Sequence, residues 1–167
     1  MATGFLNYTK HGVFESSDIK ATLAGHIVNL KAIEDTDNGS FASRGAFVAG
    51  DVWKAAKPVV AKPVFLIGTS PLIYEDFTKS MQDEANFYNA SGDVMRAYEL
   101  EANDKFNLSA EAFASGASPA VGQYLTISAT SWKVGCAASS PEGQTFVAQI
   151  YGVAANGNFM ILVEKNA

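Results

Sequence analysis

Apolar and polar positions alternate in two short runs between Gly92 and Ser109. In an extended segment, Val94, Arg96, Tyr98 and Leu100 lie on one face and Met95, Ala97, Glu99 and Glu101 on the other. Arg96 interrupts the first set, which is otherwise mainly apolar. The second set starts apolar and ends in two carboxylates. Lys105 to Ser109 alternates as well, with Phe106 and Leu108 opposed to Lys105 and Asn107. Ala102-Asn103-Asp104 is too short for a crossover, so the two runs are expected to pair as an antiparallel hairpin.

The same period recurs on either side. Gly25 to Ile33 reads as a strand, and Glu34 to Ser40 as a loop. Gly50-Asp51 is a turn that leads into Val52-Trp53. Pro58 and Pro63 exclude a central strand between them, whereas Val64-Phe65-Leu66-Ile67 predicts a strand buried on both faces. Pro71 to about Phe87 is the best helix, with Ser70 as its cap and Phe77, Met81 and Ala85 along one side. Its start could instead prolong the preceding strand through Leu72-Ile73-Tyr74. Ser109 to Phe113 predicts one helical turn, and Tyr124 to Ser128 and Trp132 to Cys136 predict two strands. The strongest hairpin is the last, Thr145 to Ala154 and Phe159 to Glu164 around Asn156-Gly157, a dipeptide that accepts positive φ at both positions. Phe159 to Val163 is apolar on both faces and predicts a central or covered strand.

Residues 1 to about 22 follow neither period. Phe5, Leu6, Tyr8, Val13, Phe14 and Ile19 are scattered among polar residues. The segment 1–22 is therefore expected to be an extended N-terminal arm packed on a neighbour, with Phe5, Tyr8, Phe14 and Ile19 as partner-binding residues. An ordinary N-terminal strand on its own core is the alternative. Residues 23–167 then form a single β-rich domain. The predicted fold is mainly β, a small barrel or sandwich of antiparallel strands with one or two short helices.

A chain of 167 residues, 48% of them hydrophobic, is long enough to bury a real core in one domain. Charged residues make up only 17%, which suits a surface partly covered by partners. The net charge is −5 without a clustered cationic stretch, so no nucleic-acid partner is expected. Cys136 is the only cysteine, and its place in a strand predicts a buried, inert thiol. The first residues show no basic and apolar secretory pattern, and the apolar runs fall far short of the roughly 20 residues that span a bilayer. No membrane partner is expected.

No chemistry stands out. His11 and His26 have no ligand-type residue at zinc spacing, and the acidic loop 34–40 lacks the calcium-loop ladder. There is neither a nucleophile elbow nor a phosphate-cradling glycine loop. Asp76, Asp83, Glu84, Glu99 and Glu101 form no specific catalytic pair. The expectation is a chain without catalytic, cofactor or metal site, and not an enzyme. Tyr74, Phe87, Tyr88 and Tyr124 could stack on sugars, which leaves a carbohydrate-binding β-module of a phage tail or adhesin as the alternative reading.

Residues 92–100 (Gly-Asp-Val-Met-Arg-Ala-Tyr-Glu-Leu), the Asn103-Asp104-Lys105-Phe106 turn, Gly122-Gln123-Tyr124-Leu125, Phe146 to Tyr151 and Ile161-Leu162-Val163 together resemble the small head-decoration proteins of tailed bacteriophages. The likeness covers about residues 92–165. It implies a non-enzymatic virion protein, made in the host cytoplasm and bound to the capsid surface. The implied partners are the major capsid protein and further copies of the chain.

Overall fold

The computed structural model describes residues 10–20, 26–71 and 83–167. In chain order the described strands are β1 (Phe14–Asp18), β2 (Ile27–Lys31), β3 (Phe41–Ala49), β4 (Val52–Ala56), β5 (Phe65–Ile67) and β6 (Val94–Glu99), then β7 (Lys105–Leu108), β8 (Tyr124–Thr126), β9 (Gly135–Ala137), β10 (Phe146–Val153) and β11 (Phe159–Asn166). Five of them close a barrel in the order β2-β4-β3-β5-β6. The others make an open sheet in the order β1-β7-β11-β10-β8-β9. The fold is mainly β, as the alternation predicts, with a barrel and a sheet side by side. One pair departs from the antiparallel expectation: β2 and β4 run parallel. A closed ring of five strands cannot alternate direction all the way round, so one neighbouring pair must run parallel, and here it is β2 with β4.

Each unit has its own apolar core. Leu30, Ala42, Phe65, Ile67, Met95 and Ala97 fill the barrel, together with Trp132 from a loop outside it. Phe106, Leu108, Phe146, Ile150, Ile161 and Val163 line the inner face of the sheet and meet Phe41, Leu66 and Leu100 on the outside of the barrel. The rings of Phe41 and Phe146 lie 5.2 Å apart, and those of Phe41 and Phe106 6.3 Å apart, both tilted. Such aromatic pairs add about 1 kcal/mol each to the burial of their area. The apolar run at 64–67 now has its cause: Phe65 and Ile67 point into the barrel while Leu66 points into the second core.

The hairpin expected at 92–109 does not form. β6 pairs with β2 and β5 in the barrel, and β7 pairs with β1 and β11 in the sheet. Closure of the barrel uses both edges of β6, so β7 has no edge to join. The chain changes units through a tight turn instead. Asp104 is 1% exposed. Its carboxylate accepts the main-chain N–H groups of Glu101 at 2.8 Å and Lys20 at 3.0 Å. Asn103 takes φ 75° there, a conformation that asparagine tolerates better than most residues. The buried face of β6 is that of Met95 and Ala97, while Val94 and Arg96 face solvent.

The last hairpin forms as expected, and β11 is central, between β7 and β10. Its turn uses positive φ at Gly157 (88°), while Asn156 keeps negative φ and its side-chain carbonyl accepts the Asn158 N–H at 3.1 Å. Most of the expected helix, residues 72–82 with Phe77 and Met81, lies outside the described residues; its end forms one 3-10 turn, Glu84–Asn86. The turn expected after Ser109 is present at Ala110–Ala112, but the Ser109 hydroxyl accepts from Val13 N–H rather than from its own turn. The strand expected at Trp132 to Cys136 begins later, at Gly135, because Trp132 is drawn into the barrel. Cys136 is half-buried, and burial pushes its thiol pKa up, opposed by a main-chain hydrogen bond from Ser118. The first half of β3 carries no clean alternation and was not legible, since Phe41 and Ala42 serve different cores.

The expected arm is part of the domain wherever it is described. Phe14–Asp18 is the edge strand β1, and Phe14 packs against Phe106 (6.1 Å) and Tyr98 (5.7 Å). A side chain at Gly68 would strike both Phe14 and Tyr98, so glycine is required at that contact. Ile19 is half-buried on the same core. These two side chains serve their own domain, the alternative weighed for this segment, because the edge of β7 offers a pairing surface beside the second core. Phe5 and Tyr8 lie outside the described residues.

Replacing Asp104 with alanine strips two main-chain N–H groups of their acceptor. Asp104→Ala is expected to lower unfolding free energy by about 3 kcal/mol. Asp83→Ala, which removes the acceptor of one exposed N–H, should cost under about 1 kcal/mol. Urea unfolding of both variants, with equal m-values, checks the difference.

Candidate binding cleft

The loop from β2 to β3 carries Glu34, Asp35, Thr36 and Asp37, and main-chain and side-chain bonds hold it rigidly. Thr36 and Asn89 exchange main-chain hydrogen bonds at 2.8 and 2.9 Å. Asn38 and Thr69 exchange side-chain to main-chain bonds at 2.8 and 3.1 Å. Together with Lys10, His11, Lys57 and the loop at Thr130–Lys133, this loop lines an open cleft of about 460 Å³.

Asp37 is the centre of the cleft wall. One carboxylate oxygen lies 2.7 Å from His11 Nδ1. The other accepts from Gly12 N–H at 3.0 Å and pairs with Lys133 Nζ at 2.7 Å. Lys133 Nζ also donates to the Glu111 carbonyl at 2.7 Å. Burial pushes the Asp37 carboxyl pKa up, but hydrogen bonds from Lys133, Gly12 and His11 and the lysine charge outweigh it. The net result lies below the ordinary carboxyl value. Tyr88 stacks on the His11 ring with centroids 4.9 Å apart. Nearby, Glu34 accepts a hydrogen bond from the Trp132 indole and pairs with Lys57 at 3.4 Å. The indole bond is the largest influence on Glu34, and its carboxyl is also held below the ordinary value.

An imidazole oriented by a carboxylate is half of a nucleophile-activating arrangement. The other half is not assembled. Among the described residues no hydroxyl or thiol is bonded to His11; Ser131 bonds to Lys133, Thr130 to Ser128, and Ser40 Oγ is sealed without a partner. The pairing of His11 with Asp37 was not legible in the sequence, because 26 positions separate them. His26 lies elsewhere, between Glu99 and Glu101, with Nδ1 at 3.5 and 3.4 Å from their carboxylates. Of the expected partner-binding residues, Phe14 and Ile19 meet in the second core, and neither lines the cleft.

No protein-family model, curated protein or solved structure matches this chain.

Asp37 joins three segments, so its charge matters to stability. With the native carboxyl below its ordinary value, the unfolded chain takes up the proton first as pH falls. The stabilisation is complete above the ordinary carboxyl range and is lost as pH falls through the native value. Asp37→Asn is expected to cost about 2 to 3 kcal/mol at pH 7. The difference from the unmodified protein should shrink as acid carries both below that range. Tm measured from pH 7 down to pH 2.5 checks this; an undiminished gap in acid contradicts it.

Proposed function

We propose that this chain is a non-enzymatic structural virion protein that binds the capsid surface of a tailed bacteriophage, as a head-decoration or cement protein. The observation that carries the reading is the β3–β4 hairpin. Phe47 is 56% and Val48 38% exposed there, and Ala46 and Ala49 beside them are exposed too. Trp53 stands next to Phe47, edge to face at 5.2 Å, and the Arg44 guanidinium lies 5.0 Å over the Trp53 ring. Tryptophan, phenylalanine and arginine are the residues enriched in protein interfaces. A projecting apolar tip backed by an arginine–tryptophan stack is suited to docking on another protein. The low charge and the resemblance of residues 92–165 to decoration proteins point the same way. The sugar-binding alternative has less support: of the aromatics weighed for stacking, Tyr88 already lies on the His11 ring, Phe87 and Tyr124 are half-buried, and Tyr74 lies outside the described residues.

The expected partners are the major capsid protein and further copies of the chain on the lattice. Purified protein mixed with undecorated heads should co-pellet with them at micromolar concentration. Phe47→Asp, a change at an exposed position that also loses the ring contact with Trp53, should lower Tm by about 2 to 4 °C while weakening head binding tenfold or more. Unmodified protein that stays in the supernatant defeats the capsid reading. Undiminished binding by Phe47→Asp moves the contact away from the hairpin.

A further inference from the structure

The cleft beside Asp37 has an imbalance that the capsid reading does not use. Its lining carries three lysines (Lys10, Lys57, Lys133) against three carboxylates (Glu34, Asp35, Asp37), so net charge does not distinguish it. The hydrogen-bond inventory does. Asp37 already accepts from three donors, Glu34 meets Trp132 and Lys57, and Asp35 accepts from Ser91 N–H. Each of the three carboxylates has at least one partner inside the protein.

The three lysines have fewer partners. Among the described residues Lys10 has no ion-pair or hydrogen-bond partner, and Lys57 has one, at 3.4 Å. The Lys133 ammonium has three hydrogens and two partners.

We infer that this cleft is an oxyanion-binding site, taking a carboxylate or phosphate group against Lys10, Lys57 and Lys133. Ammonium groups partly withdrawn from water bind such groups through charge-assisted hydrogen bonds stronger than neutral ones. Lys57 and Lys133 are in that condition, with side chains 39% and 33% exposed. The cleft volume admits a small free anion or one acidic side chain presented by a partner chain. The two sources share one chemistry. The site stands or falls independently of attachment to a capsid, because its residues are distinct from those of the β3–β4 hairpin.

The chain supplies its own controls, with one histidine and one tryptophan at the cleft and one of each elsewhere. NMR of the imidazole and indole signals during titration with sodium phosphate, sodium acetate and a short aspartate-containing peptide, at constant ionic strength, reads the site directly. His11 and Trp132 signals should shift saturably while those of His26 and Trp53 stay in place. Lys10→Ala and Lys57→Ala should each weaken the titration about tenfold, a change of about 1.4 kcal/mol. Saturation by phosphate before the peptide identifies a free anion as the ligand, and the reverse order identifies a partner's side chain. Signals that do not move by ~50 mM, far above useful affinity, overturn the inference. So do four signals that drift together, or lysine variants that titrate like the unmodified protein.

Discussion

One wall serves two cores, and the rest of the structure depends on it. β5 and the first residues of β3 place Phe65, Ile67 and Ala42 in the barrel and Leu66 and Phe41 in the core under the sheet. Phe41, Ala42, Phe65, Leu66 and Ile67 have no solvent side, so each must be apolar and of a size that fits its own core. Packing density in protein interiors leaves little tolerance for either error. The barrel and the sheet are therefore coupled mechanically, although no strand is shared between them. The loop residue Trp132 strengthens the coupling, since it leaves the sheet side to enter the barrel core.

Closure of the barrel sets the second constraint. Once β6 has β2 on one edge and β5 on the other, the following segment must leave, and the buried Asp104 carboxylate makes that departure sharp. The N-terminal segment is tied to the same place through Lys20 N–H. Its strand β1 covers β7, and Phe14 reaches across to Tyr98 on the barrel. A short buried acid and an edge strand together hold the two units in register.

The cleft forms where these ties converge on the loop between β2 and β3. Asp37 gathers the segment before β1, the loop before β9 and the turn after β7, the last through Lys133 and the Glu111 carbonyl. Asp37 fixes the Lys133 ammonium and the His11 ring directly, through contacts of 2.7 Å each. Pre-oriented donors lose little conformational freedom when a ligand arrives. The β3–β4 hairpin is a different kind of surface, apolar and projecting.

The sequence by itself determined the β class, the last hairpin, the Gly50-Asp51 turn and the doubly buried run at 64–67. Each is written in adjacent residues: a period of two, a turn glycine, or four apolar residues between proline and glycine. Only the tertiary structure decided which strands pair. The two runs around Ala102-Asn103-Asp104 look like a hairpin because adjacency in sequence favours one, yet barrel closure removes the edge that the pairing needs. The same holds for Phe14, whose partners Tyr98 and Phe106 lie more than 80 positions away. It holds for the cleft too, since His11, Asp37 and Lys133 have no spacing that marks them as neighbours. A side chain's period reports which way it points; what it meets there is set by long-range contacts, which no local pattern records.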